Sequence, residues 1–196
     1  EINCEYEVCD VLERDQIDQI SKKHGEEVNG LAYCVGSINL KPIKITKDED
    51  FIESYKINTL GAINAIKLNI ESLTKNNGSI LLFSTIAVQQ GFTNHSIVSS
   101  SKGSIEGLTL SLAAEFAPKI RVNCIAPSLT DSKMSQKMVS NENIRKAIEN
   151  MHPIPKIGKG EDFGDLSSFL LSQKNSWITG QIFHIDGGRS TLRLKG

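Results

Sequence analysis

Apolar residues fall along this chain in two alternating rhythms. Short, nearly continuous runs occupy Tyr6 to Cys9, Gly30 to Val35, Ser79 to Ser84, Ile120 to Ile125 and Gln181 to Ile185. Strands covered on both faces read this way, because neither side meets water. Between them the apolar residues recur at helical spacing. Thr46 and Glu49 form a capping box ahead of Phe51, Tyr55, Ala62, Ile66, Ile70 and Leu73, and Asn76-Asn77-Gly78 is a stop signal. One long helix is therefore predicted from Asp48 to Lys75. A second is predicted from Ser99 to Ala117, with Ile105, Leu108, Leu112 and Phe116 on one face and Pro118 ending it. Shorter helices are predicted at Glu142 to Asn150 and Asp162 to Leu171. Alternation of strand and helix means βαβ units, so the expected fold is α/β, three layers built on a doubly wound parallel sheet.

The 196 residues contain no Pro/Gly/Ser linker or internal repeat, which points to one domain over residues 1–196. The stretch from Pro127 to Ile157 is polar and carries Pro153 and Pro155, so it is expected to be a mobile excursion from the framework. A formal net charge of -1 gives no nucleic-acid field, and clusters such as Lys22-Lys23 are too short to make one. No apolar run approaches the roughly 20 residues that cross a bilayer. Cys4, Cys9, Cys34 and Cys124 form no CxxC pair and have no histidines at metal-ligand spacing. No metal site is expected. Cys9, Cys34 and Cys124 stand in or beside apolar runs, as reduced core thiols do, which suits a cytoplasmic location.

Several segments, read in order, resemble the short-chain dehydrogenase/reductase family. Cys9-Asp10-Val11 is similar to the end of the family's third strand, whose Asp contacts adenine. Leu31 to Gly36 resembles the fourth-strand motif, with Cys34 in place of its last Asn, and Asn58 falls at the family's helix asparagine. Ser79 to Thr85, Lys102-Gly103 and Gly107-Leu108-Thr109 resemble the catalytic strand and helix. Arg121 to Pro127, Trp177 to Gln181 and Ile185 to Gly188 resemble the last two strands. The resemblance implies an incomplete Rossmann-type sheet holding NAD or NADP. It also implies a small carbonyl or alcohol substrate, as in the 3-oxoacyl-acyl carrier protein reductase branch.

In that family a nicotinamide and a carbonyl carbon exchange hydride while a tyrosine phenol passes the proton. A phenol has a pKa near 10, so a lysine cation beside it is needed to draw it toward neutrality. Lys102 stands at the lysine position and Asn58 at the asparagine that holds a water. Counting back from Lys102, the serine position is Thr85, which keeps the hydroxyl, with Ser84 just before it. The tyrosine position is Val98, which can neither give nor take a proton. His95, one helical turn earlier, has an intrinsic pKa suited to the task; it substitutes for the phenol, caps the helix or faces solvent. The resemblance further implies cofactor contacts from Asp10, Val11, Cys34, Val35, Gly36, Lys102, Pro127, Ser128, Leu129, Thr130 and Ser132. Asn58, Thr85, Lys102 and His95 are the catalytic candidates; Lys102 and Asn58 are expected to point into one cleft at the C-terminal strand ends, with Thr85 close by.

The alternative is a catalytically impaired member that serves as a nucleotide- or protein-binding module. The family's dimer surface would be formed by the two long helices, so a homo-oligomer, dimer or tetramer, is expected. No glycine-rich phosphate turn is present, so the choice between NAD and NADP stays open. With the first two family strands missing, an additional segment before Glu1 is expected, and Tyr6 to Cys9 is expected either to pair with Gly30 to Val35 or to hang free.

Overall fold

In the computed structural model, residues 4–24 and 27–193 are described. Four strands form a single parallel sheet in the order β1-β2-β3-β4: β1 Gly30–Tyr33, β2 Ser79–Phe83, β3 Arg121–Pro127 and β4 Ile182–Ile185. Leu31 pairs with Ile80, Ile80 with Val122 and Cys124 with Ile182. The alternation of side chains sorts the core into two faces. Ile80, Leu82, Val122 and Cys124 pack with Ile66, Leu73, Ile105 and Ala113. Leu81 and Ile125 pack on the opposite side with Phe163 and Leu170. Helices α3 (Gly61–Lys75) and α4 (Ser96–Phe116) thus cover one face, and α7 (Gly160–Leu171) the other.

Tyr6 to Cys9 is not a strand. Tyr6 is 86% and Val8 94% exposed, and neither pairs with the sheet. An apolar run makes a strand only where a neighbour takes its backbone groups, and β1 has no strand on that side among the described residues. Instead Asp10 turns the chain toward a helix not expected from the sequence, α1 (Arg14–His24). The Asp10 carboxylate accepts the Leu12 N–H at 2.9 Å, its carbonyl takes the Glu13 N–H at 3.0 Å, and Ile17 enters the core.

The long helix expected from Asp48 to Lys75 exists in two pieces, α2 (Asp48–Tyr55) and α3, joined by a π-helical turn over Lys56–Leu60. Its start also differs. Lys47 is the N-cap, its N–H bound at 3.0 Å by the Asp50 carboxylate, while the Thr46 hydroxyl donates back to the Ile43 carbonyl. The Pro127 to Ile157 stretch holds more structure than a mobile excursion would. It forms α5 (Gln136–Val139) and α6 (Glu142–Glu149), and Thr130 bridges to Gly158. Asn141 caps α6 through bonds from the N–H groups of Asn143 and Ile144. Of the cysteines, Cys124 is buried and Cys9 half-buried, but Cys34 is exposed, because β1 ends at Tyr33 and leaves it in the following loop.

Candidate active site

The C-terminal ends of the strands border a cleft of about 480 Å³. Thr85, His95, Val98 and Lys102 all line it, as do Cys34, Gly36, Pro127, Ser128, Leu129, Thr130 and Ser132. Val35 does not, and it is 40% exposed beyond the strand end. Asp10 and Val11 lie elsewhere, Asp10 turning the chain toward α1 and Val11 packing against the core.

Lys102 reaches across from α4 to donate a 2.8 Å hydrogen bond to the Phe83 carbonyl at the end of β2. Burial draws its pKa down from 10.5 to about 8, against the pull of Cys124 and Cys34. Asn58 sits within the π turn, fully buried, and does not line the cleft. Its Oδ1 accepts the Ser37 N–H at 3.1 Å and its Nδ2 donates to the Ser54 carbonyl at 2.9 Å. Gly36 joins the two. A Cβ there would come within 2.8 Å of Asn58 Oδ1 and 3.2 Å of Lys102 Nζ, so only bare backbone can pass between them.

The π turn is held from the sheet. Its Gly61 N–H bonds to the Lys56 carbonyl, which leaves the Ile57 carbonyl for the Tyr33 phenol at 2.7 Å. A Cβ on Gly61 would sit 2.1 Å from that phenol oxygen, so the glycine is what admits Tyr33. Burial pushes the Tyr33 pKa to about 12. None of the three tyrosines lines the cleft.

Ser84 and Thr85 point to different duties. Ser84 Oγ bonds to buried Glu106 at 2.8 Å and to the Lys102 carbonyl at 3.3 Å, tying β2 to α4. Thr85 Oγ1 accepts the Ala87 N–H at 3.3 Å, capping a short turn over Ile86–Val88, and its own hydrogen is left to donate. His95 occupies the N-cap position of α4 but makes no side-chain cap bond. Its Nδ1 lies 2.7 Å from the Thr93 carbonyl, which can only accept, so the proton of the neutral ring is on Nδ1 and Nε2 is free.

The opposite wall holds groups that the sequence reading passed over. Ser128 Oγ lies 2.8 Å from Nε2 of buried His152. Arg189, which lines the cleft, stands 4.8 Å from the centre of the Phe92 ring. Neither His152 nor Arg189 belongs to a short local motif, and only the packing of residues 151–154 beside the turn after β4 brings them to Ser128. Among the described residues no cluster of three metal-ligating side chains occurs, and no helix is long and apolar enough to cross a membrane.

A family model described as enoyl-(acyl carrier protein) reductase matches residues 1–190. A tropinone reductase homologue of Arabidopsis thaliana is 31% identical over 187 residues, 92% of this chain and 69% of that one. The 3-oxoacyl-[acyl-carrier-protein] reductase of Thermotoga maritima is 28% identical over 186 residues, 92% of this chain and 75% of that one. Among solved structures, ElxO with NADP bound matches at TM-score 0.88 and 28% identity, covering 96% of this chain and 79% of that one. The aldohexose dehydrogenase of Thermoplasma acidophilum, at TM-score 0.92 and 24% identity, shares the fold over all of this chain and 82% of its own.

Proposed function

The chain belongs to the short-chain dehydrogenase/reductase family, and from that premise we propose that it is an NAD(P)-dependent oxidoreductase of small carbonyl or alcohol substrates in which His95 takes the place of the absent tyrosine. The observation that carries this reading is the meeting of Thr85, His95 and Lys102 in one cleft around Val98. The nicotinamide end of the cofactor fits these residues, since Gly36 offers bare backbone beside Lys102 and Pro127 to Thr130 form the facing edge. When bound, the cofactor supplies or receives the hydride. NADP(H) is the first form to test, because the ElxO structure holds it.

The chain's own residues orient the substrate and handle the proton. Thr85 donates its hydroxyl hydrogen to the substrate oxygen. Lys102 places a cation in a poorly solvated cleft, where it stabilises negative charge developing on that oxygen far better than in water. A protonated His95 gives its Nε2 hydrogen to the oxygen as hydride arrives at carbon, and the reverse reaction returns it. Asn58 does not line the cleft, and we assign it the positioning of Gly36 and Ser37.

The test is oxidation of NADPH and NADH at 340 nm by the full-length protein over a carbonyl panel. His95→Ala is expected to lower turnover by about 10²–10⁴-fold with cofactor affinity unchanged within a few-fold. Unchanged turnover eliminates His95. Cofactor binding by calorimetry with no turnover on any substrate would favour the non-catalytic reading. A homo-oligomer is part of the proposal. Ile52, Tyr55, Leu60 and Leu110 are 51%, 41%, 39% and 53% exposed on α2, the π turn and α4. A monomeric mass at micromolar concentration would contradict it.

A further inference from the structure

Arg189 is a second cation in the cleft, and the proton and hydride chemistry leaves it without a task. It follows the turn Asp186-Gly187-Gly188, whose glycines have φ of +60° and +85°. The Asp186 carboxylate accepts the N–H groups of Gly188 at 2.8 Å and Ser190 at 2.9 Å, which fixes the turn. A Cβ on Gly188 would meet Pro153 Cγ at 3.2 Å, so the glycine also lets the 151–154 segment close on Arg189.

The guanidinium is poorly served by the protein. Its Nη1 lies 3.5 Å from Ser128 Oγ, at the limit of a hydrogen bond, and its Nη2 3.5 Å from Met151 Sδ, a weak acceptor. No ion pair joins it to a carboxylate among the described residues. A guanidinium has five N–H donors, and the other three have no acceptor among the described residues. It is half-buried, and burial draws its pKa down while Asp186 opposes the shift. The Phe92 face holds it in place as a cation–π partner. Ser128 is also oriented. His152 Nδ1 lies 2.8 Å from the Ile148 carbonyl and so carries the ring proton, and Nε2 takes the Ser128 hydroxyl hydrogen. Leu129, Met134 and Met138 give this wall an apolar surface beside Thr130, Ser132 and Ser135.

We propose that Arg189 selects the substrate by binding a carboxylate, so that the enzyme reduces small oxo-acids to hydroxy acids. This rests on the oxidoreductase reading above. The apolar wall takes the alkyl chain between the carboxylate and the reacting carbonyl. Hydride adds to the carbonyl carbon, one proton adds to its oxygen, NAD(P)H becomes NAD(P)⁺, and the carboxylate is unchanged. A planar carboxylate matches the guanidinium fork with two parallel hydrogen bonds, which a neutral ester cannot return.

The experiment compares pyruvate, acetoacetate and levulinate with their methyl esters, using full-length wild type, Arg189→Gln and Arg189→Lys. Wild type is expected to favour at least one acid over its ester in kcat/KM by about tenfold or more. Arg189→Gln is expected to lower kcat/KM for that acid by about 10–100-fold, chiefly through KM, and to leave the ester within about threefold. Arg189→Lys should fall between. Equal handling of acid and ester by wild type, or equal loss on both in the variant, overturns the proposal. Binding of the same acids followed by ligand-observed NMR gives a readout that needs no turnover. Acid binding lost in Arg189→Gln without any NADPH oxidation upholds the carboxylate site and sinks the oxidoreductase reading instead. Inorganic phosphate binding that depends on Arg189 where none of the acids bind would overturn the carboxylate assignment.

Discussion

The two walls of the cleft differ in how fully their polar groups are satisfied. On the wall made by β2 and α4, Lys102 donates to Phe83 and Ser84 to Glu106, and behind it Tyr33 donates to Ile57 and Asn58 to Ser54. On the wall made by the loop after β3 and the turn after β4, the Arg189 guanidinium has two polar contacts among the described residues, both at 3.5 Å, beside the face of Phe92. A satisfied group is already committed to holding the structure, whereas a desolvated donor without an acceptor keeps its interaction energy for a ligand. Most of the first wall keeps its shape, with the Thr85 hydroxyl hydrogen and His95 Nε2 uncommitted, while on the second wall Arg189 is the group left to bind.

The largest effect that tests this contrast falls on Lys102, which has a foot in both roles. Lys102→Met is expected to lower turnover by about 10²–10³-fold, measured as kcat on the best substrate of the wild type. It should not unfold the protein, because an ammonium with its pKa drawn down to about 8 is itself a burden on the folded state. The sign follows from proton counts. Between about pH 8 and 10.5 the unfolded chain holds a proton at Lys102 that the folded chain has released, so this group's cost to stability shrinks as pH rises. The stability advantage of Lys102→Met over wild type in urea should therefore narrow across that window. A constant gap would show that Lys102 is not desolvated.

Gly61→Ala comes next, at about 3 kcal/mol of lost stability in denaturant titration, since the new methyl must displace the Tyr33 phenol and strand the Ile57 carbonyl. The loss should be smaller in a Tyr33→Phe background, where no phenol oxygen stands in the way. Additive losses would disprove that the two meet. Asn58→Ala should cost about 2 kcal/mol by the same measurement, because it leaves the Ser37 N–H without its acceptor. The smallest effect belongs to the other wall: Arg189→Gln is expected to change stability by no more than about 0.5 kcal/mol. A loss as large as that of Asn58→Ala would make Arg189 a structural residue and erase the contrast.

Local pattern by itself determined the four parallel strands and most of the helices that cover them, because apolar run length is a property of adjacent residues, while Thr85, Val98 and Lys102 were picked out by the family resemblance. Strand ends moved by one or two residues, as at β1, where the run to Val35 stops pairing at Tyr33. The sequence also places a valine four residues before Lys102, a side chain with no proton to give. It could not show that Tyr6 to Cys9 would stay unpaired, because a strand depends on a partner and not on its own apolar content. Nor could it break the long helix at Lys56–Leu60, where the cause is a phenol from β1 and a glycine that makes room for it. The Ser128, His152 and Arg189 wall belongs to tertiary structure altogether. Its members are 24 and 61 residues apart from Ser128 in the chain, and only the closing of the β4 turn on the 151–154 segment makes them neighbours.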